Sequence, residues 1–380
     1  MLKRYFVLIL FSLLVIFALL LANKKNLFTF DSYEIIQLIT SDPYNDESYL
    51  IYSNSDGKII GNKVFAEENG VSISALKQKN DIVYFGSYPQ KSTIQSYNYK
   101  THSIEKLGKI STKYENINPY SENLIITLNN GFSEDMQSYN TGFCYLERDW
   151  KCLEMESEDF IVVNGIVFNE KIFLHTVSVN PSIGNSQELV KIYDKDFNFL
   201  SEVSVTSLGL EGSIVHFYKN ANQLFLLGMD LISGEFSAIE VDSDLKIIDQ
   251  RDYPESHPSE RELCIPNAFL EQEEGLLYVE LVCQKKQSST LSEQDNLLIK
   301  IDFDDLGNKE NDILFMGNNL VRGADFSRDI ILLQDGKIRS EDTNVISLYT
   351  ADFQMKSSIE IEKFHTYNPT LIDIFEMKIE

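Results

Sequence analysis

Asp302-Phe303-Asp304-Asp305-Leu306-Gly307 opens like a calcium loop, with carboxylates at alternate positions and a glycine sixth. Hard cations take such spaced oxygens, closed by a bidentate glutamate at the twelfth position. Here Leu306 stands fifth and Ile313 twelfth. Asp194-Lys195-Asp196-Phe197-Asn198 also spaces its oxygens correctly, but Phe199 replaces the glycine. Asp and Asn favour hairpin turns because they bond nearby backbone and tolerate left-handed conformations. Both stretches therefore read as turns. Zinc has still less support: His102, His175, His216, His257 and His365 are scattered singly, with no HExxH or Cys-x-x-Cys.

Nucleophilic chemistry would need an activated side chain, and no Gly-x-Ser-x-Gly elbow occurs. Ser74-Ala75-Leu76-Lys77 and Ser103-Ile104-Glu105-Lys106 match Ser-x-x-Lys, but both fall in expected strands rather than at a helix start. Glu260 and Glu262 are an acidic pair without a known separation in space. Neither Gly-x-x-x-x-Gly-Lys nor Gly-x-Gly-x-x-Gly is present to cradle a phosphate. The sequence thus assigns no catalytic residue, no cofactor and no metal ligand. Trp150, at a hairpin turn, is either a binding anchor or a residue packed on the neighbouring loop; packing is the expectation.

Four cysteines remain. A turn centred on Arg148 sets Cys144 directly opposite Cys152. Pairing Leu270 with Leu277 around the turn Glu271–Gly275 sets Cys264 across from Cys283. Opposed residues on antiparallel strands lie within bridging distance. Two disulfides are expected, and with them an oxidising compartment. The alternative is four buried thiols in a cytoplasmic protein.

The elements that carry these residues repeat. Tyr52, Tyr97, Tyr145, Tyr193, Val241, Ile301 and Tyr349 each end an apolar run before a polar turn, at intervals of 45, 48, 48, 48, 60 and 48 residues. The long interval holds Gln284–Asn296, a polar run expected to be an inserted loop. Upstream of most anchors lies another apolar run, such as Ile172-Phe173-Leu174 or Leu224-Phe225-Leu226-Leu227, and sometimes a weaker one. Four strands in about 48 residues is the length of a propeller blade. A β-sandwich of this size would need splitting into domains, and no linker is visible.

On these runs the chain resembles the β-propeller superfamily over nearly all of its length beyond the N-terminal segment. No specific family follows, because the Gly-His…Trp-Asp signature of the WD40 group is missing. Ser53-Asn54-Ser55-Asp56-Gly57 only grazes the sialidase box, and does so once. The resemblance implies an all-β, seven-bladed β-propeller. Tyr33–Thr40 and Tyr49–Ala66 supply three strands of the first unit. The terminal strand Leu371–Ile379 is expected to supply the fourth and close the ring, leaving no free edge.

Residues 5–22 carry no charge. As a helix they span about 27 Å, close to the hydrocarbon core of a bilayer. The run is longer than a signal-peptide core, and Leu20 stands two places before Ala22, where cleavage wants a small residue. The expectation is a cytoplasmic N-terminus (1–4), an uncleaved transmembrane signal-anchor (5–22), a linker (23–32) and an extracytoplasmic propeller (33–380), with a cleaved leader as the rival. Lys3 and Arg4 before the span and Lys24 and Lys25 after it give only a slight positive-inside bias toward that orientation.

With 33 basic and 58 acidic residues the formal charge is −25. No basic cluster could track phosphates, which excludes nucleic acid, and a body this acidic disfavours anionic lipid. Membrane contact is left to the N-terminal helix. The functional expectation is a binding or protein-interaction module, holding an unnamed protein or small ligand at a propeller face. The rival is an exported hydrolase, lyase or dehydrogenase with its site in the central channel; a cytoplasm-facing sensor would need reduced cysteines.

Overall fold

The computed structural model describes residues 35–377 apart from 40–47, 55, 67–75, 87–92, 99–100, 102, 111–113, 134–137, 179–186, 211, 231–234, 254–260, 286–293, 308–312, 327–328, 336–342 and 363–374. Strands fall into groups of four. The first unit holds β1 (Ile35–Ile39), β2 (Ser48–Ser53) and β3 (Ile59–Ala66), and the second β4 (Leu76–Lys79), β5 (Ile82–Gly86), β6 (Thr93–Asn98) and β7 (Ser103–Lys109). The third holds β8 (Tyr114–Asn118), β9 (Ile125–Phe132), β10 (Tyr139–Leu146) and β11 (Trp150–Ser157). The fourth holds β12 (Phe160–Phe168), β13 (Lys171–Ser178), β14 (Glu188–Asp194) and β15 (Phe199–Ser204). The fifth holds β16 (Ser213–Asn220), β17 (Gln223–Met229), β18 (Phe236–Val241) and β19 (Ile247–Tyr253). The sixth holds β20 (Arg261–Glu273), β21 (Leu276–Lys285), β22 (Gln294–Asp302) and β23 (Ile313–Gly317). The seventh holds β24 (Asn319–Asp325), β25 (Ile330–Asp335), β26 (Thr343–Tyr349) and β27 (Met355–Glu362), and the chain ends in β28 (Phe375–Met377).

This is a β-propeller architecture of antiparallel meanders. Every sequence anchor from Tyr97 to Tyr349 lies on the third strand of its unit, and Tyr52 lies on β2, which is third once β28 is counted. The terminal strand does what closure requires: β28 pairs with β1, Ile35 opposite Met377, and completes the first unit. Apolar residues are continuous rather than alternating where both sheet faces are covered, as in Leu224–Met229 of β17. Fourth strands such as β15 face solvent instead. The core is accordingly a series of layers between units. Phe173, Val190, Phe217 and Leu226 fill one of them, and Tyr218, Phe225, Phe269 and Val279 fill the next.

Innermost strands share a further device. The first strands of units three to seven each carry a bulge, at Glu115, Val163, Val215, Asn267 and Arg322. An extra residue bends a strand and strengthens its twist, which suits strands turning around a common axis.

Three expectations need correction. Leu270 pairs with Tyr278, not Leu277; the bulge at Asn267 then shifts the register by one, so that Cys264 still meets Cys283. The expected inserted loop is shorter than Gln284–Asn296, because Gln284 pairs with Gln294 and extends the ladder into it. Units two and six, expected as separate blades, are joined. Their inner strands β4 and β20 pair in parallel, Phe269 opposite Lys77 and Glu271 opposite Lys79, and fuse two units into one eight-stranded sheet. Residues 1–34, with the expected span 5–22, lie outside the described residues, among which no helix is long and apolar enough to cross a membrane.

Candidate functional site

The turns that suggested calcium spend their oxygens on their own backbone. Asp194 Oδ1 accepts the amides of Asp196 (2.9 Å) and Asn198 (2.8 Å), and its Oδ2 accepts the Asn198 side chain. That side-chain bond, with the two amides, holds the Asp194 carboxyl below the usual carboxylate range. Asp242 and Asn54 cap their turns in the same way. Asp302 caps Asp304, whose own Oδ1 accepts the Asn220 amide of the preceding unit at 2.7 Å.

Three residues after the capping side chain the backbone turns left-handed, at Gly57, Phe197, Leu245 and Phe353. Bulky residues resist that conformation, and here packing offsets the cost. Phe197 sets its ring edge-on to Phe143 and Tyr145 of unit three, Phe353 does so on Tyr278 of unit six, and Leu245 is buried against unit four. The turns at Phe197, Leu245 and Phe353 thus rivet their units to the ones before. The signal was present in the sequence as an apolar residue inside an otherwise polar turn, but turn chemistry alone does not reveal it.

A second assembly lies on the axis. The paired strands β4 and β20 carry Lys77, Phe269, Lys79 and Glu271. Lys77 Nζ sits 3.6 Å above the Phe269 ring. His216 packs on the same ring, with centroids 4.5 Å apart, and meets Tyr120 edge-on. Tyr120 presents its hydroxyl to the carbonyls of Gln78 (2.9 Å) and Phe269 (2.7 Å), so it spans the seam. Tyr218 donates to Glu271 Oε1 at 2.7 Å and accepts the Gly275 amide. Lys79 Nζ stands 3.9 Å from Glu271 Oε2.

Burial governs the electrostatics here. It pushes the Lys77 amine and the His216 imidazole well down, the latter helped by Lys77, and it lifts Glu271, Tyr120 and Tyr218. Among the described residues neither ring nitrogen of His216 has a hydrogen-bond partner. Polar clips between units surround this cluster. Gln78 brackets the Ala324 backbone through both its donor and its acceptor, and Asn118 donates to the carbonyls of Gly165 and Phe217. Glu280 accepts the Asn267 side chain and the Val321 amide, and burial raises its carboxyl to about 7.

Such a convergence of shifted groups marks functional sites and structural networks alike. Closure of the β4–β20 seam makes it a buried structural knot, since Lys77, His216 and Glu271 are all nearly inaccessible. Of the residues that the sequence singled out, only Lys77 and His216 come together here. Ser74 and Glu260 lie outside the described residues, as do His102, His257 and His365. His175 is buried against Glu188. Trp150 packs as expected: its indole donates to Leu107 O at 3.0 Å, and its ring fills the space beside Gly108 of the preceding unit.

Both disulfides form, Cys144–Cys152 and Cys264–Cys283, with Cα atoms 4.1 and 3.9 Å apart. The outer surface carries the remaining candidate. Phe199 and Leu200 begin β15, Ile247 and Ile248 begin β19, and all four are large apolar side chains left exposed, Phe199 by 53% and Ile248 by 60%. They occupy equivalent positions on two neighbouring units. Contiguous exposed apolar surface marks interaction sites, and these two strand starts are where such surface could gather.

No family model matches the chain, and no curated protein does. Among solved structures it is similar to the β-propeller domain of the Trilobed protease from Pyrococcus furiosus, at 11% identity over 89% of this chain and 95% of that one, TM-score 0.45. Sqt1 from Saccharomyces cerevisiae matches at 10% identity over 86% of both chains, TM-score 0.44. The acylaminoacyl peptidase of Pyrococcus horikoshii matches at 12% over 84% of this chain, TM-score 0.45, and the present chain spans half of its length. Likeness this loose bears on no function, and the fold rests on the strand order above.

Proposed function

We propose that the protein is a seven-bladed propeller, tethered to a membrane by residues 5–22 and held on the extracytoplasmic side, that works as a protein-interaction module. Five four-stranded sheets, an eight-stranded sheet that joins two further runs of four strands, and the pairing of β28 with β1 support the ring. The two disulfides support an oxidising compartment, and the uncharged run supports the tether. The observation that carries the binding function is the apolar set Phe199, Leu200, Ile247 and Ile248 on the rim of blades four and five. Interfaces use apolar centres with polar surrounds, and here exposed Glu202 and Asp249 flank the set.

The axial cluster favours a second reading, an exported enzyme, because an amine, an imidazole, a carboxyl and two phenols converge. Catalysis there needs the seam open to solvent.

The test is a photo-crosslinking phenylalanine analogue placed at Phe199 or Ile248 of the full tethered chain in intact cells. The expected result is one discrete protein adduct from either site, lost when Leu200→Asp and Ile247→Asp are added. The same analogue at exposed Ser207 serves as the control and gives none. Identical adducts from all three positions, or none from any, would overturn the reading.

A further inference from the structure

The two disulfides differ in access and in what they hold. Cys264 and Cys283 are 1% and 0% exposed, inside the layer between blades five and six and three residues from the bulge at Asn267. Cys144 is likewise buried, against Ile94, Ile117 and Leu128 of the blade two and three layer, but its partner Cys152 is exposed on the outermost strand. Cys144–Cys152 closes a loop of only 8 residues, against 19 for the other bond. Short loops lose least chain entropy when bridged. These same strands are already joined by an unbroken register from Tyr139–Ser157 to Leu146–Trp150. The bond therefore adds little to a hairpin that the ladder already holds. Exposed disulfides are also the ones open to attack by an external thiolate.

We propose that Cys144–Cys152 is a thiol-exchange site for an external dithiol, whereas Cys264–Cys283 is a permanent brace. In the exchange, a thiolate of the dithiol attacks Cys152 Sγ. The Cys144–Cys152 bond breaks, and Cys144 leaves as a thiolate that takes up a proton. The second thiolate of the dithiol then attacks the mixed disulfide and releases Cys152 as its thiol. Two electrons pass to the protein, and the dithiol becomes a disulfide. Trp150, the only tryptophan, lies two residues from Cys152 and is anchored to Leu107 of blade two, so it reports on the state of this bond.

The experiment uses the full chain in detergent micelles at neutral pH, treated with dithiothreitol, then alkylated and mapped by peptide mass spectrometry, with Trp150 emission followed in parallel. The expected result is alkylation of Cys144 and Cys152 alone, at the rate of the emission change. The Cys144→Ser/Cys152→Ser variant should keep its melting temperature to within a few degrees and lose the emission response. Labelling of Cys264 and Cys283 together with or before the outer pair would overturn the proposal. So would absence of labelling at Cys144 and Cys152 until the chain unfolds.

Discussion

At the rim, a turn answers its own polar atoms; at the axis, the answers come from across the chain. Asp194 bonds to residues two and four places on. Tyr120 bridges carbonyls 42 and 149 residues away, and Gln78 clasps a backbone 246 residues on. The polar atoms of each turn are thus answered locally, and the turn reaches the unit before it chiefly through one apolar side chain such as Phe197. At the axis each group instead depends on several blades being in place at once. The rim is thus where surface can change, and the axis is where distant units are held together.

The contrast is sharpest at Tyr120. Tyr120→Ala should cost about 3–5 kcal/mol, the usual price of emptying an aromatic site in a packed core. Tyr120→Phe, which strips only the hydroxyl from two buried carbonyls, should cost about 1–3 kcal/mol. Denaturant unfolding measures both, and a Phe variant as stable as the parent would mean that the seam does not depend on this bridge.

Glu280 comes next. Its carboxyl lies near 7 in the fold against an unfolded value of 4.5, so the folded state binds the extra proton between those limits. Its contribution is present in full below about pH 4.5 and is lost as pH rises through 7, by on the order of 3 kcal/mol. Glu280→Gln should remove that slope. His216 acts in the opposite sense, its depressed imidazole favouring the fold above the unfolded value of 6.5 and withdrawing that support as pH falls. Subtracting the Glu280→Gln profile from the parent's therefore isolates the carboxyl.

Smaller effects belong to the rim. Asp194→Ala should cost about 1 kcal/mol, the worth of one side-chain cap. A loss as large as that of Tyr120→Ala would erase the distinction between rim and axis. Ile248→Ser should shift stability by less than about 0.5 kcal/mol, leaving loss of cross-linking as its one phenotype.

The same contrast explains what could be read in advance. Anchors, turns and both cysteine pairs were legible because each rests on neighbours within one hairpin, such as Cys144 opposite Cys152. The bulge at Asn267 was not legible, since the register error it introduces cancels the one made at Leu270. Nor was the seam: Ser74-Ala75-Leu76-Lys77 reads as part of a strand, and nothing in it points to a partner. Only pairing with β20, almost two hundred residues away, buries Lys77 and Gln78. The exposed pairs Phe199-Leu200 and Ile247-Ile248 looked like ordinary strand residues, because sequence does not tell that β15 and β19 are outermost strands open on both faces where they begin.

Whether the axis is closed decides between a binding surface outside and chemistry within. Hydrogen–deuterium exchange on the full chain, followed for the amides of 76–80 and 268–271, measures that closure directly. Protection as strong as that of β13 and β17 is the predicted result. Exchange as fast as in exposed turns such as Asp194–Asn198 would contradict it, and would turn Lys77, His216 and Glu271 from a buried knot into an open site.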